Sequence, residues 1–101
     1  MRTDFEILWS KESKFQLDRI ILYLRQEWTD KEVKNFLVKM KGFERIVAKF
    51  PEIYAESKKK PGLRQAVISK HNSVIHTIDW ENSKIRVYTI FDNRQHPDKL
   101  I

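Results

Sequence analysis

Residues Pro61 to Pro97 read PGLRQAVISKHNSVIHTIDWENSKIRVYTIFDNRQHP, and this stretch decides the fold. It holds three runs rich in β-branched and aromatic residues, separated by polar segments typical of turns. The predicted strands are Arg64 to Ser69, Val74 to Trp80 and Ile85 to Phe91. Because such short loops join strands that run in opposite directions, we expect an antiparallel meander. Basic side chains at the strand ends predict a cationic surface.

The residues before this stretch predict one strand and two helices. Phe5 to Trp9 alternates like a strand with one apolar face, and Ser10 is a good N-cap for a helix from Lys11 to about Trp28. A capping box at Thr29 to Glu32 starts a second helix directly afterwards, and Pro51 ends it. Each helix carries an apolar stripe at helical spacing, in the first Leu17, Ile20, Ile21, Leu24 and Trp28, in the second Val33, Phe36, Leu37, Met40, Val47 and Phe50.

The predicted order is β-α-α-β-β-β, an α+β fold with an N-terminal strand and a helical hairpin packed on a small antiparallel sheet. At 101 residues the chain is of a size for one domain, residues 1–101. One face of the sheet is expected to be buried by the hairpin, which leaves the other face or its rim available. In the last strand, alternation predicts two opposite sets of side chains, Ile85, Val87 and Phe91 against Arg86, Tyr88 and Ile90.

Charge and composition limit the class of function. Lys and Arg number 20 against 14 Asp and Glu, a net charge of +6 that favours polyanions or an acidic protein as partner. The absence of cysteine excludes disulfides and thiolate metal sites, which fits a reducing cytoplasm. Neither a signal peptide nor a membrane-spanning segment is predicted, so we expect a soluble cytoplasmic protein without membrane contact.

No cofactor or metal site is predicted. His71, His76 and His96 lack the spacing of zinc ligands, and two glycines are too few for a phosphate-cradling loop. His76 shares its predicted strand face with apolar residues, so it is expected to be a core histidine with its hydrogen bonds satisfied. His71 is expected to be solvated in a turn.

Two groups of polar residues are candidates for function. Lys58, Lys59 and Lys60 lie in a loop from residue 52 to 62 and form either a solvated, mobile loop or a nucleic-acid-binding edge beside the sheet. Metal-free RNA cleavage needs a group that removes the 2′-hydroxyl proton, a cation against the phosphate and a proton donor for the leaving oxygen. The candidates for these catalytic roles are Arg64, Lys70, Arg94 and His96.

Several of these features together resemble the RelE/ParE toxins of bacterial type II toxin–antitoxin modules, of the plasmid stabilisation type. They are the element order, Pro51 at the end of the second helix, Gly62 to Arg64 at the opening of the sheet, and Ile90 to Pro97 (IFDNRQHP) at its end. The resemblance implies a toxin that a cognate antitoxin holds in check by covering its basic surface with an extended or helical C-terminal segment.

The resemblance leaves three hypotheses open. RelE-like members cut mRNA on the ribosome without a metal, whereas ParE-like members inhibit DNA gyrase and are not nucleases. A fold of this type that has lost its toxicity is the third hypothesis. We favour mRNA cleavage by an endoribonuclease, because the Arg94 and His96 pair has a chemical use there.

The resemblance also assigns roles to single residues. Arg94 matches the basic residue that RelE-like enzymes use against the phosphate, and Lys70 lies near a basic catalytic position. Arg64 matches a Leu-Arg pair found widely in the superfamily, where a structural role is equally compatible. RelE-like enzymes often carry a tyrosine a few residues after the Arg94 position; here the tail has none, and His96 is the candidate substitute.

Overall fold

The meander occupies three places of a four-stranded sheet whose order is β1-β4-β3-β2. The computed structural model describes residues 4–92. Its elements are β1 (Glu6–Trp9), α1 (Lys11–Glu27), α2 (Asp30–Lys49), β2 (Arg64–Val67), β3 (Asn72–Asp79) and β4 (Lys84–Asp92). The predicted α+β order is therefore confirmed. Predicted β2 was two residues too long, because the amides of Ile68 and Ser69 both donate to the Asn72 carbonyl and close the turn there.

β1 makes the sheet mixed rather than wholly antiparallel. β2, β3 and β4 form the predicted antiparallel meander, but β1 lies parallel to β4, with Ile7 opposite Ile85. Parallel neighbours need a long crossover connection, and the two helices between β1 and the meander provide it. The pairing extends beyond the strand itself, since the Ser10 amide donates to the Val87 carbonyl at 3.0 Å.

The two predicted helix starts are confirmed by their caps. Ser10 Oγ accepts from the Ser13 amide at 3.0 Å, and Thr29 Oγ1 accepts from the Glu32 amide at 3.4 Å. α2 lies against the sheet and buries one stripe of side chains, whereas the apolar residues of α1 are only partly buried. The core between helices and sheet consists of Phe36, Met40, Phe43, Val47, Ala66, Val74, Ile85, Val87 and Ile90.

A β-bulge in β4 changes which side chains enter this core. Ile75 pairs with Thr89 and His76 with Val87, so Tyr88 is the extra residue. The bulge turns Ile90 toward the helices together with Ile85 and Val87, so the predicted simple alternation is wrong from Tyr88 onward. Gln16 of α1 satisfies the freed groups, because its Oε1 accepts from the Ile90 amide at 2.7 Å and from Thr89 Oγ1 at 2.8 Å.

Candidate functional site

The candidate basic residues lie at two separate places along β2. Arg64 begins the strand and follows the Lys58–Lys60 turn, whereas Lys70 lies beyond the other end, in the turn from Ser69 to Asn72. The register places Arg64 opposite His76 and Asn72 opposite Asp92. At a strand rise of about 3.3 Å per residue, these two pairs lie about 13 Å apart. The structure therefore does not bring Arg64 and Lys70 together.

The other two candidate catalytic residues are not covered by the structure. The chain is described as far as Asp92, so Arg94 and His96 lie outside the described residues. Asp92 itself pairs with Asn72, which belongs to the same turn as Lys70.

Arg64 anchors a loop to the edge of the sheet. Its guanidinium Nη1 donates to the Tyr54 carbonyl at 2.7 Å, and its side chain is half-buried. It lies on the helix-facing side of the sheet, as its register partner His76 and the buried Ala66 do. Arg64 thus has a structural contact that its residue type alone does not reveal.

The loop that Arg64 anchors runs alongside β2 and carries the Lys58–Lys60 turn. The Ser57 amide donates to the Leu63 carbonyl at 2.7 Å, and the Gln65 amide donates to the Ala55 carbonyl at 3.2 Å. All three lysines are exposed. The turn closes at Gly62, whose positive φ of 93° favours glycine. The segment is therefore hydrogen-bonded to the sheet edge at both of its ends.

His76 lies inside a cluster of aromatic rings beneath this loop. Its ring centroid is 5.4 Å from that of Phe43 and 5.8 Å from that of Tyr54. The side chain has no exposed surface, so the prediction of a core histidine is confirmed. Its Nδ1 lies 3.4 Å from the Val74 carbonyl oxygen, which assigns the proton to Nδ1. Nε2 has no hydrogen-bond partner within residues 4–92, so only that part of the prediction, full satisfaction, is wrong.

Burial lowers the pKa of His76 from 6.5 to about 4; the hydrogen bond to Val74 opposes this shift, and the nearby Arg64 cation adds to it. The imidazole is therefore neutral at pH 7. A neutral, buried imidazole has no direct access to a substrate. His76 is a residue of the core rather than of a catalytic site.

A groove lies between the helices and the Ser69–Asn72 turn. Its volume is about 770 Å³. Three aromatic residues of α1 and its C-cap line it and remain more than half exposed, Phe15 at 61%, Tyr23 at 54% and Trp28 at 54%. Cationic side chains also line it, namely Arg19, Lys39 and Lys70, together with the carboxylates Glu12 and Glu32.

The groove is not apparent from the sequence pattern, because that pattern places Trp28 on the apolar stripe of α1. Trp28 is instead the C-cap of α1, with an extended backbone, and its amide donates to the Leu24 carbonyl at 2.8 Å. The sequence does carry one indication of the groove. Phe15 and Tyr23 are aromatic residues of α1 that lie off the predicted apolar stripe.

The face of the sheet that points away from the helices is less cationic than the sequence predicts. Lys84 and Arg86 alternate with buried Ile85 and Val87, so they point away from the helices. Each is paired: Lys84 Nζ lies 2.5 Å from a Glu6 carboxylate oxygen, and Arg86 Nη2 lies 3.0 Å from Asp79 Oδ2. Hydrogen bonds from Asn82 and Arg86 lower the pKa of Asp79. The predicted cationic surface lies at the two ends of β2 instead.

Neither a metal site nor a membrane-spanning helix is found among the described residues. Between residues 4 and 92, no group of three or more His, Asp or Glu side chains is arranged to hold a metal ion. Neither helix in this range has the length and apolar character needed to span a bilayer.

Comparisons with known proteins identify the fold. No model of a protein family matches the sequence, and no curated protein matches it. A solved structure does match: a chain in the crystal structure of the toxin–antitoxin complex RelBE2 from Mycobacterium tuberculosis. The TM-score is 0.63 at 9% sequence identity, over 89% of this chain and 99% of that chain. The two chains share a fold. The expected α+β fold is thereby confirmed.

The unfavourable burial of a protonated His76 makes the stability of the protein depend on pH. The pKa of His76 is lower in the folded than in the unfolded state, so its neutral form contributes stability that is complete above pH 6.5 and is lost as the pH falls toward 4. We predict a loss of about 2 to 3 kcal/mol in the free energy of unfolding between about pH 7.5 and about pH 4.5 from this residue.

The measurement is urea unfolding of the wild type and His76→Leu at both pH values. Carboxylates contribute equally to the two proteins, so the difference between the two pH-dependent losses isolates the imidazole. Equal losses in the two proteins would contradict the predicted burial of a neutral histidine.

Proposed function

We propose that this protein is the toxin of a type II toxin–antitoxin module and inhibits growth by metal-independent, ribosome-associated cleavage of mRNA in the cytoplasm. The observation that carries the proposal is the fold shared with a chain of the RelBE2 toxin–antitoxin complex. The net charge of +6 and the exposed cations at both ends of β2 favour RNA as the target.

The cleavage site of this proposal lies around the Ser69–Asn72 turn. Lys70 belongs to this turn, and Arg94 and His96 follow in the sequence shortly after Asp92, the register partner of Asn72. His96 takes the proton of the ribose 2′-hydroxyl, whose oxygen attacks the adjacent phosphorus as the bond to the 5′-oxygen breaks. The Arg94 guanidinium neutralises the charge that develops on the phosphate, and the Lys70 ammonium gives a proton to the departing 5′-oxygen, so that the products are a 2′,3′-cyclic phosphate and a 5′-hydroxyl.

Arg64 has a different role in this proposal. Its guanidinium donates to the Tyr54 carbonyl on the helix-facing side of the sheet, about 13 Å along the strands from the Asn72 pair. It therefore positions the loop that presents Lys58–Lys60 to RNA instead of contacting the scissile phosphate.

The groove is the surface proposed for the antitoxin. An amphipathic helix binds such a concave surface by laying its apolar face into the groove. The exposed aromatic rings of this chain then pack against that apolar face. Arg19, Lys39 and Lys70 at the same surface suit acidic side chains on the two sides of that helix. Because Lys70 also belongs to the proposed cleavage site, an antitoxin seated there blocks the site directly.

Expression in a bacterial host tests the activity. We predict growth arrest by the wild type and new mRNA 5′ ends within the codon at the ribosomal A site, mapped by sequencing RNA ends. Arg94→Ala is expected to lower the cleavage rate by about 100-fold or more, because it removes charge stabilisation from the transition state. His96→Ala is expected to lower it by a similar factor.

The matched control is Arg45→Ala, which removes an exposed cation on α2 that does not line the groove. Arrest without mRNA cuts, accompanied by a DNA-damage response and inhibited supercoiling by purified gyrase, would replace cleavage with gyrase inhibition. Normal growth at high expression would overturn toxicity itself.

Binding of the antitoxin is tested separately on the groove. We predict that Tyr23→Asp weakens the complex with the product of an adjacent small reading frame by about 30-fold, because it places a charge where an aromatic anchor packs. Titration calorimetry measures the affinity. Val38→Asp is the control, since Val38 is 69% exposed on α2 but does not line the groove. Equal effects of both substitutions would place the antitoxin elsewhere.

A further inference from the structure

The Lys58–Lys60 turn is built around the side chain of Ser57. Ser57 Oγ accepts from the Lys59 amide and from the Lys60 amide, both at 3.2 Å. The Leu63 amide donates to the Lys60 carbonyl at 3.1 Å, which closes the turn on its other side. The backbone beneath all three lysines is thus held by one hydroxyl group and one turn.

A second side chain closes the same turn from outside. The carboxylate of Glu56 accepts from the Gly62 amide, and Glu56 forms a β-bridge with Arg64. Residues 55–57 therefore pair with residues 63–65 along the outer edge of β2, and the Lys58–Lys60 turn lies at the end of this pairing. Three adjacent cations repel one another, and a chain without these bonds would spread them apart.

We propose that Ser57 is a positioning residue that holds the Lys58–Lys60 turn in a preformed shape for the phosphate backbone of single-stranded RNA. This inference rests on the proposed function, because it names how the RNA substrate is held. The turn lies at the end of β2 opposite the Lys70 turn, so its lysines bind the strand on one side of the cleavage site. A preformed turn saves the entropy that ordering it on binding would cost.

The position of the turn predicts a separation of binding from chemistry. A contact made equally in the ground state and the transition state changes the substrate concentration for half-maximal cleavage but leaves the maximal rate unchanged. Substitutions in this turn should therefore affect binding alone, whereas substitutions at Arg94 should affect the maximal rate.

Direct binding measures the role of Ser57. The experiment titrates the purified full chain into a fluorescein-labelled oligouridine of about twelve nucleotides at several salt concentrations and follows the fluorescence anisotropy. Because each phosphate contact to a single strand contributes about 0.7 to the salt slope, Lys58→Ala with Lys60→Ala should lower the slope by about 1.4 and the affinity by about 20-fold at about 0.1 M salt. Ser57→Ala should weaken binding by about fivefold with the slope retained, because the charges remain but must be ordered.

Two controls keep the result specific. Ser57→Thr keeps the hydroxyl and should restore the wild-type affinity, which a general loss of structure would not allow. Lys31→Ala with Lys34→Ala removes two exposed cations from the first turns of α2. Its salt slope should stay closer to that of the wild type than the slope of the Lys58 and Lys60 double variant does.

The outcomes separate this inference from the proposed function. If Ser57→Ala or the Lys58 and Lys60 double variant binds the oligonucleotide with wild-type affinity, the inference is overturned. This holds even if the protein cuts mRNA on the ribosome. Failure of the wild type to bind the oligonucleotide also overturns it. Binding with the predicted losses, but without any mRNA cleavage in cells, supports the inference and overturns cleavage as the proposed activity.

Discussion

The buried ring of Phe43 joins the parts of the molecule that are distant in sequence. Its centroid lies 6.4 Å from that of Trp9 in β1, 5.6 Å from Tyr54 in the loop and 5.4 Å from His76 in β3. Large aromatic side chains dominate the energetics of a core of this size. Because Phe43 fixes Tyr54, it also fixes the carbonyl to which Arg64 donates, and through Arg64 the loop that carries the lysine turn.

This arrangement gives the two ends of β2 different physical roles. At one end the loop is bonded to the sheet edge and displays cations on a closed turn. At the other end, the Ser69–Asn72 turn and Ile90 line a groove that α1 leaves partly uncovered, with exposed rings on its wall. Charge dominates the first surface and apolar area dominates the second, so they suit a polyanion and a protein helix respectively.

The parts of the fold that local sequence determines were predictable, and those that distant contacts determine were not. Ser10, the meander and the burial of His76 follow from capping, turn chemistry and alternation. The parallel position of β1 in the sheet depends on its pairing with β4, and the bulge at Tyr88 depends on Gln16 of α1. The residue type of Arg64 suggests catalysis. The direction of its side chain, however, is set by the register with His76 and by the Tyr54 carbonyl that it binds.

The most direct test of the proposed activity is cleavage in a reconstituted translation reaction. Purified protein is added to ribosomes stalled on a defined mRNA with the start codon in the P site, and to the same mRNA without ribosomes. We predict a cut within the A-site codon that leaves a 5′-hydroxyl on the downstream fragment, only where ribosomes are present. Intact mRNA on the ribosomes at a large excess of protein would contradict it.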